Sequence, residues 1–319
     1  RLAAQPAGCT RGEAAVKVRP GMLDRVSPYL LLVLTTLFWG GNFNVARAVS
    51  GEVPPLGLSF WRWLVAFLVL LPFALRPMWR HRACFFEHWM LVCLLAFLGV
   101  TLFNTLVYLG LQTTTAINAS LMQSITPVFI ILLSRLLLGN RTGMRQWLGI
   151  LVSLSGALVI LTRAEAGVIL ELRVARGDLV VLLAVFIWGA YTVLLKKLPA
   201  EFGGLPLLGY TMAIGTPLIL PFYLHESLHG WPVPVTTASI LSIGYVALFP
   251  SVLAYLFWNH ATSRIGPERT GHFSHLIPVF GLLIATLVLG ESLQPFHLAG
   301  ILLVAAGLLL ANSGIAAAR

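Results

Sequence analysis

Ten apolar runs divide the chain, at about 29–48, 55–75, 88–111, 117–138, 145–162, 178–196, 205–224, 238–261, 269–289 and 296–313. Each is close to the ~20 residues a helix needs to cross a bilayer. The breaks between them hold Pro, Gly or charge, as at Gly51 to Pro55, Arg76 to Arg82, Gly139 to Arg145 and Gly266-Pro267. The pattern predicts an all-α membrane protein with ten transmembrane helices. Lys and Arg set its orientation, because they collect on the cytoplasmic side. With the amino terminus inside, sixteen of the 21 Lys and Arg fall on inner segments and four on outer ones, with Arg62 inside a span. Both termini are therefore expected in the cytoplasm.

The runs also repeat. Ile125-Thr126-Pro127-Val128-Phe129 returns as Leu276-Ile277-Pro278-Val279-Phe280, 151 positions on. Gly139, Gly149 and Gly156 fall on Gly290, Gly300 and Gly307 at the same offset. Phe38-Trp39-Gly40 returns as Ile187-Trp188-Gly189, 149 positions on. Such self-similarity marks a duplication. The expected organisation is a cytoplasmic tail (1–27), a first five-helix repeat (28–162), an outer linker (163–177), a second five-helix repeat (178–313) and a cytoplasmic tail (314–319). Met22 is a candidate natural start. Five spans is an odd number, so the two repeats enter the membrane inverted. Inverted repeats are a transporter architecture, with substrate bound near the midplane between them.

Composition agrees with the membrane reading. The chain is 58% hydrophobic and 10% charged, against about 25% charged in soluble domains. The formal charge of +10 is assigned to cytoplasmic loops and not to nucleic acid. The three cysteines lack metal-ligand spacing, so no metal and no cofactor are expected. A Gly-x-x-x-x-Gly-Lys-Ser/Thr phosphate loop does not occur in the sequence.

Polar groups inside spans are costly unless they face a cavity or a partner. Arg62 is either a ligand for a substrate carboxylate or a side chain reaching out to the interface. His272 and His275 share a helix face. They either contact substrate and carry a proton or form interhelical bonds. Gln123 stands opposite them in the first repeat. Trp39 and Asn42 in the first span match Trp188 and Tyr191 in the sixth. They line the pathway or belong to an interfacial belt. Tyr108 corresponds to Asn259 and offers hydrogen bonds. Pro127 and Pro278 are expected to break a mid-span helix, as gating kinks or as static ones. The paired glycines of the fifth and tenth spans are read as packing stripes. Asn118-Ala119-Ser120 matches a glycosylation acceptor by coincidence. Glu87, Asp178 and Glu291 all fall at span ends, which argues against a buried carboxylate as proton carrier.

Taken in order, Trp39-Gly40, Phe60-Trp61-Arg62, Asn118-Ala119-Ser120 before Pro127, Gly290-Glu291 and the glycine pairs resemble the EamA type of the drug/metabolite transporter superfamily. The resemblance covers about residues 30–313. It implies a bacterial inner-membrane exporter of amino acids, aromatic or neutral ones included, or of other small metabolites. Its expected partners are a small-molecule substrate and the lipid bilayer. One departure is Gly139-Asn140, which stands where the first-half counterpart of Gly290-Glu291 would be. Export of lipophilic cations or drugs, and a channel-like facilitator of the same fold, are the alternative readings.

Overall fold

The computed structural model describes residues 22–49, 51–114, 119, 122–140, 143–162, 167, 176–199, 202–289 and 294–313. The tails before Met22 and after Ser313, most of the 163–177 linker, Asn118, Ser120 and Gly290-Glu291 lie outside them. Among the described residues all regular structure is helical. The principal elements are α1 (Pro28–Ala48), α2 (Pro55–Arg80), α3 (Trp89–Gly110), α4 (Thr126–Leu138), α5 (Met144–Leu161), α6 (Arg176–Leu194), α7 (Leu205–Leu228), α8 (Thr237–Ile265), α9 (267–289) and α10 (Pro295–Ser313). By length and composition α1, α2, α3, α6, α7 and α8 are able to cross a bilayer. Thr126–Leu138, Met144–Ile160 and Pro295–Ala311 are apolar but shorter. Large apolar side chains such as Phe73, Leu136 and Leu228 face outward, as a lipid-facing surface requires.

α2 runs past its apolar stretch to Arg80, through Pro72 and Pro77. α7 likewise runs through Pro217 and Pro221. Pro221 lies 149 positions after Pro72, at the offset of the tryptophan repeat.

Two helices widen in the same place. α3 is π-helical over Ala96–Leu102 and α8 over Ala247–Leu253, 151 positions apart at both ends. In α8 the cause is Pro250, which has no N–H and would clash with the carbonyl four residues back. Gly99 occupies the matching position in α3. Each wide turn releases a carbonyl from the helical ladder. Gly99 O accepts from Tyr255 Oη at 2.6 Å, and Pro250 O accepts from Trp39 Nε1 at 3.1 Å.

The duplicated prolines correct one expectation. Pro127 is the second residue of α4. Pro278 is the third residue of Leu276–Leu289, after a 3-10 turn at Phe273–His275. Both sit in the first turn of a helix, where a missing N–H costs nothing. They start helices after a break and do not kink them midway.

The sequence repeats pack on one another. A Cβ on Gly40 would lie 3.1 Å from Phe280 Cβ, and one on Gly189 would lie 3.2 Å from Phe129 Cβ. Thus α1 meets α9 through the same residues by which α6 meets α4. α5 and α10 close the other side. A Cβ on Gly149 would stand 2.7 Å from Gly307 O, and one on Gly307 would stand 2.6 Å from Gly149 O. Gly156 and Gly300 exchange contacts in the same way, at 2.7 and 2.8 Å. The pairing of 149 with 307 and 156 with 300 makes the two helices antiparallel. Without side chains between them the backbones interlock, which is how membrane helices gain van der Waals contact.

Gly307→Ala should therefore lower stability by about 1–3 kcal/mol, the usual cost of overpacking a tight contact. Gly244→Ala is the control, because a Cβ there meets nothing within 4 Å. It should leave stability unchanged or raise it by up to ~1 kcal/mol. Thermal unfolding of the detergent-purified chain reads both.

Candidate functional site

A small cavity lies between the halves, lined by Trp39 and Asn42 of α1, Phe103, Asn104 and Val107 of α3, Gln123, Trp188 of α6, and Ser274 and Ile277 of α9. Its position follows from the duplication. Trp39 and Trp188 hold equivalent places and their rings meet at 5.1 Å, edge to face. Asn104 and Tyr255, 151 positions apart, bond to each other at 3.1 Å. Gln123 and Ser274, also 151 apart, both line the wall. The cavity volume is about 20 Å³. That is room for water, which needs about 10–15 Å³, and far less than the roughly 300–1,000 Å³ of a ligand pocket.

The wall is aromatic with a few amides. Trp39 and Trp188 are 7% and 2% exposed, so they are not belt residues at the interface. Trp258 packs on Trp39 at 5.0 Å, and Tyr255 packs on Trp188 at 5.2 Å. Phe103 lies 4.7 Å from Trp188. Tyr191 stacks on Trp188 at 4.9 Å and donates to Asn259 Oδ1 at 3.0 Å. In the other half Tyr108 donates to Asn42 Oδ1 at 3.2 Å. The Tyr–Asn bond is thus present twice, with the residue types exchanged between the paired helices.

Arg62 is fully buried, which rules out the interfacial reading. Its Nε donates to Ser251 Oγ at 2.6 Å, and its Nη1 donates to Tyr108 Oη at 2.5 Å and Asn42 Oδ1 at 3.3 Å. The guanidinium also lies 5.2 Å from the centre of the Trp63 ring. It does not line the cavity. Asn42 stands between them, so the direct contact with ligand expected from the sequence is absent in this conformation.

Of the two readings of the histidines, His275 takes the interhelical one. His275 Nε2 meets the Ser124 carbonyl at 2.9 Å, and Nδ1 meets Ser153 Oγ at 2.5 Å. A carbonyl only accepts, so Nε2 carries the hydrogen. Both ring nitrogens are occupied by protein, and His275 ties the break in α9 to α5 and to the start of α4. His272 is fully buried, and neither ring nitrogen has a partner among the described residues. Neither histidine lines the cavity.

Asn104, Phe103, Val107 and Ile277 escaped the reading of the sequence. Asn104 had a signal, since it stands 151 positions before Tyr255. The other three are apolar residues in apolar runs and carried none.

A multi-pass helical chain of this apolarity, with an aromatic cavity bearing amides between its halves, is of the membrane-transporter class. The model of the EamA-like transporter family matches residues 26–162 and again 175–313. The chain therefore belongs to the EamA-like transporter family, whose members are transporters and not enzymes. It is similar to the uncharacterized transporter YyaM of Bacillus subtilis (strain 168), with 29% identity over 92% of this chain and 96% of that one. It is also similar to a probable terminal-alkyne amino-acid exporter of Streptantibioticus cattleyicolor, with 33% identity over 88% of this chain and 92% of that one. A solved crystal structure shares the fold with a TM-score of 0.72 and 21% identity, over 90% of this chain and 96% of that one.

His275→Ala removes two hydrogen bonds, one to the Ser124 carbonyl and one to Ser153 Oγ. It should cost about 1–3 kcal/mol of stability, read by thermal unfolding, and leave the pH profile of transport in place. Gln123→Ala should do the reverse. It should weaken substrate uptake about tenfold, the value of roughly 1.4 kcal/mol, with little loss of stability.

Proposed function

We propose that the protein is a secondary transporter that exports small metabolites, amino acids first among them, by alternating access through the central cavity. In this reading the chain crosses a bacterial inner membrane ten times, as two inverted five-helix repeats with both termini in the cytoplasm. One observation carries it. Residues equivalent by the duplication meet each other at the cavity, as Trp39 does Trp188 and Asn104 does Tyr255. Equivalent residues touch only beside an axis that exchanges the halves. The antiparallel glycine pairing of α5 and α10 supports the same axis. Inverted repeats of this kind move by rocking about a shared midplane site.

The size of the cavity supports a moving mechanism. A chamber of about 20 Å³ admits no amino acid, so uptake requires the halves to separate. Breaks at equivalent positions in both halves, the π-turns of α3 and α8, offer places for that movement. The amino-acid reading draws on the relative named a probable amino-acid exporter and on an aromatic wall bearing amides. Trp39 and Trp188 would also suit a lipophilic cation through cation–π contact, but the buried charge of Arg62 repels one.

Counterflow in proteoliposomes tests the proposal. Vesicles loaded with one unlabelled amino acid should accumulate the same labelled compound, saturably, for at least some amino acids. Trp188→Ala should reduce that uptake by about two- to tenfold, since one lost aromatic contact is worth about 0.5–1.5 kcal/mol beyond its area burial. Absence of counterflow for every amino acid would refute the amino-acid reading. Flux without saturation would indicate a facilitator.

A further inference from the structure

We infer that the cavity receives the carboxylate of its ligand on the amide N–H groups of Asn42 and Gln123, and that Arg62, behind the wall, is the positioning residue that sets this polarity. The inference rests on the proposal that the ligand is carried through this cavity.

Arg62 is a buried cation among neutral groups. It is fully buried, and its partners Ser251, Asn42 and Tyr108 are all neutral. No carboxylate pairs with it among the described residues. A buried charge without a partner is strongly disfavoured. The Trp63 and Tyr108 rings, 5.2 and 5.8 Å from the guanidinium, offset part of that. The remainder is available to any anion that enters nearby.

The second half of the molecule shows that packing does not require this cation. Thr211 stands 149 positions after Arg62, at the offset that relates α1 to α6. Its hydroxyl bonds back to the Leu208 carbonyl at 3.0 Å. The Tyr191–Asn259 bond forms there all the same. The Tyr–Asn pair is part of the shared scaffold, and Arg62 is an addition to one side.

Arg62 acts through Asn42. Arg62 Nη1 and Tyr108 Oη both donate to Asn42 Oδ1. Two donors on that oxygen use its two lone pairs and fix which way the amide faces. Asn42 Nδ2 has no acceptor among the described residues, and Asn42 lines the cavity. At Gln123, Thr126 Oγ1 donates to the backbone carbonyl at 2.6 Å and lies 3.4 Å from the side-chain Oε1, while Nε2 is buried with no partner among the described residues. Two amide donors thus await acceptors on one wall. Asn104 differs, because Tyr255 Oη takes one of its two Nδ2 hydrogens and its carbonyl oxygen has no donor among the described residues. The amide donors of Asn42 and Gln123, with the Arg62 charge behind Asn42, favour a carboxylate there, and the Asn104 carbonyl is able to accept from an amino group.

The test uses four compounds on the full chain in proteoliposomes: phenylalanine, 3-phenylpropionate, phenylalaninamide and phenethylamine, with the leucine series in parallel. Uptake is measured by counterflow, and binding by quenching of tryptophan fluorescence. Wild type should take both acids and discriminate against the amide and the amine by at least tenfold. Arg62→Met should collapse that ratio and Arg62→Lys should retain most of it, a pattern that a loss of packing would not produce. Should Arg62→Met fail to fold, the wild-type ratio and Arg62→Lys still decide. Equal handling of acid and amide by wild type, an unchanged ratio in Arg62→Met, or no binding of any acid would overturn the inference. Uptake of 3-phenylpropionate without any amino acid would refute the amino-acid reading and support the carboxylate assignment. Equal uptake of phenylalanine and phenethylamine would do the opposite.

Discussion

A backbone carbonyl that leaves its helix inside a bilayer has no water to turn to, and much of this interior is arranged to satisfy that constraint. The π-turns of α3 and α8 and the break before Pro127 each free such groups. Each of these three is answered by a side chain from a distant element. Tyr255 donates to Gly99, Trp39 to Pro250 and His275 to Ser124. Those donors are residues that a sequence reading assigns to substrate or leaves unassigned. Their positions near the cavity follow from the location of the breaks, at the level where the two halves meet.

The close contacts between helices have the opposite chemistry. Glycine removes the side chain and lets backbones meet, as Gly149 does Gly307 and Gly40 does Phe280. Dispersion between matched surfaces then holds the elements together where no hydrophobic drive separates protein from lipid. Rigid glycine contacts on one side and broken helices on the other divide the molecule into parts that stay packed and parts that are able to shift. A transporter with a cavity too small for its cargo needs both.

Near-symmetry makes the exceptions informative. Tyr108–Asn42 and Tyr191–Asn259 satisfy one requirement twice. Ser124 and His275 occupy equivalent positions and bond to each other, so one side chain serves an axis that two copies share. Arg62 and Ser251 have no such counterparts. Thr211 and Val100 stand at the equivalent places, 149 positions after and 151 before. A duplicated scaffold explains what is doubled, and function is sought in what is not.

The sequence by itself determined the duplication, the apolar runs and the role of the paired glycines, because these are properties of single elements: hydropathy over one helix length, and a residue's size. It also singled out Trp39, Trp188, Asn42 and Gln123, whose places in two registers pointed to the interior. Only the tertiary structure decided what each polar side chain faces. Arg62 sits one layer behind the wall, His275 is spent on backbone and serine, and Asn104 enters the cavity. The physical reason is that the cost of a polar group in lipid states that it needs a partner and not which one. The choice among cavity, carbonyl and neighbouring helix depends on the rotation and register of helices far apart in the chain.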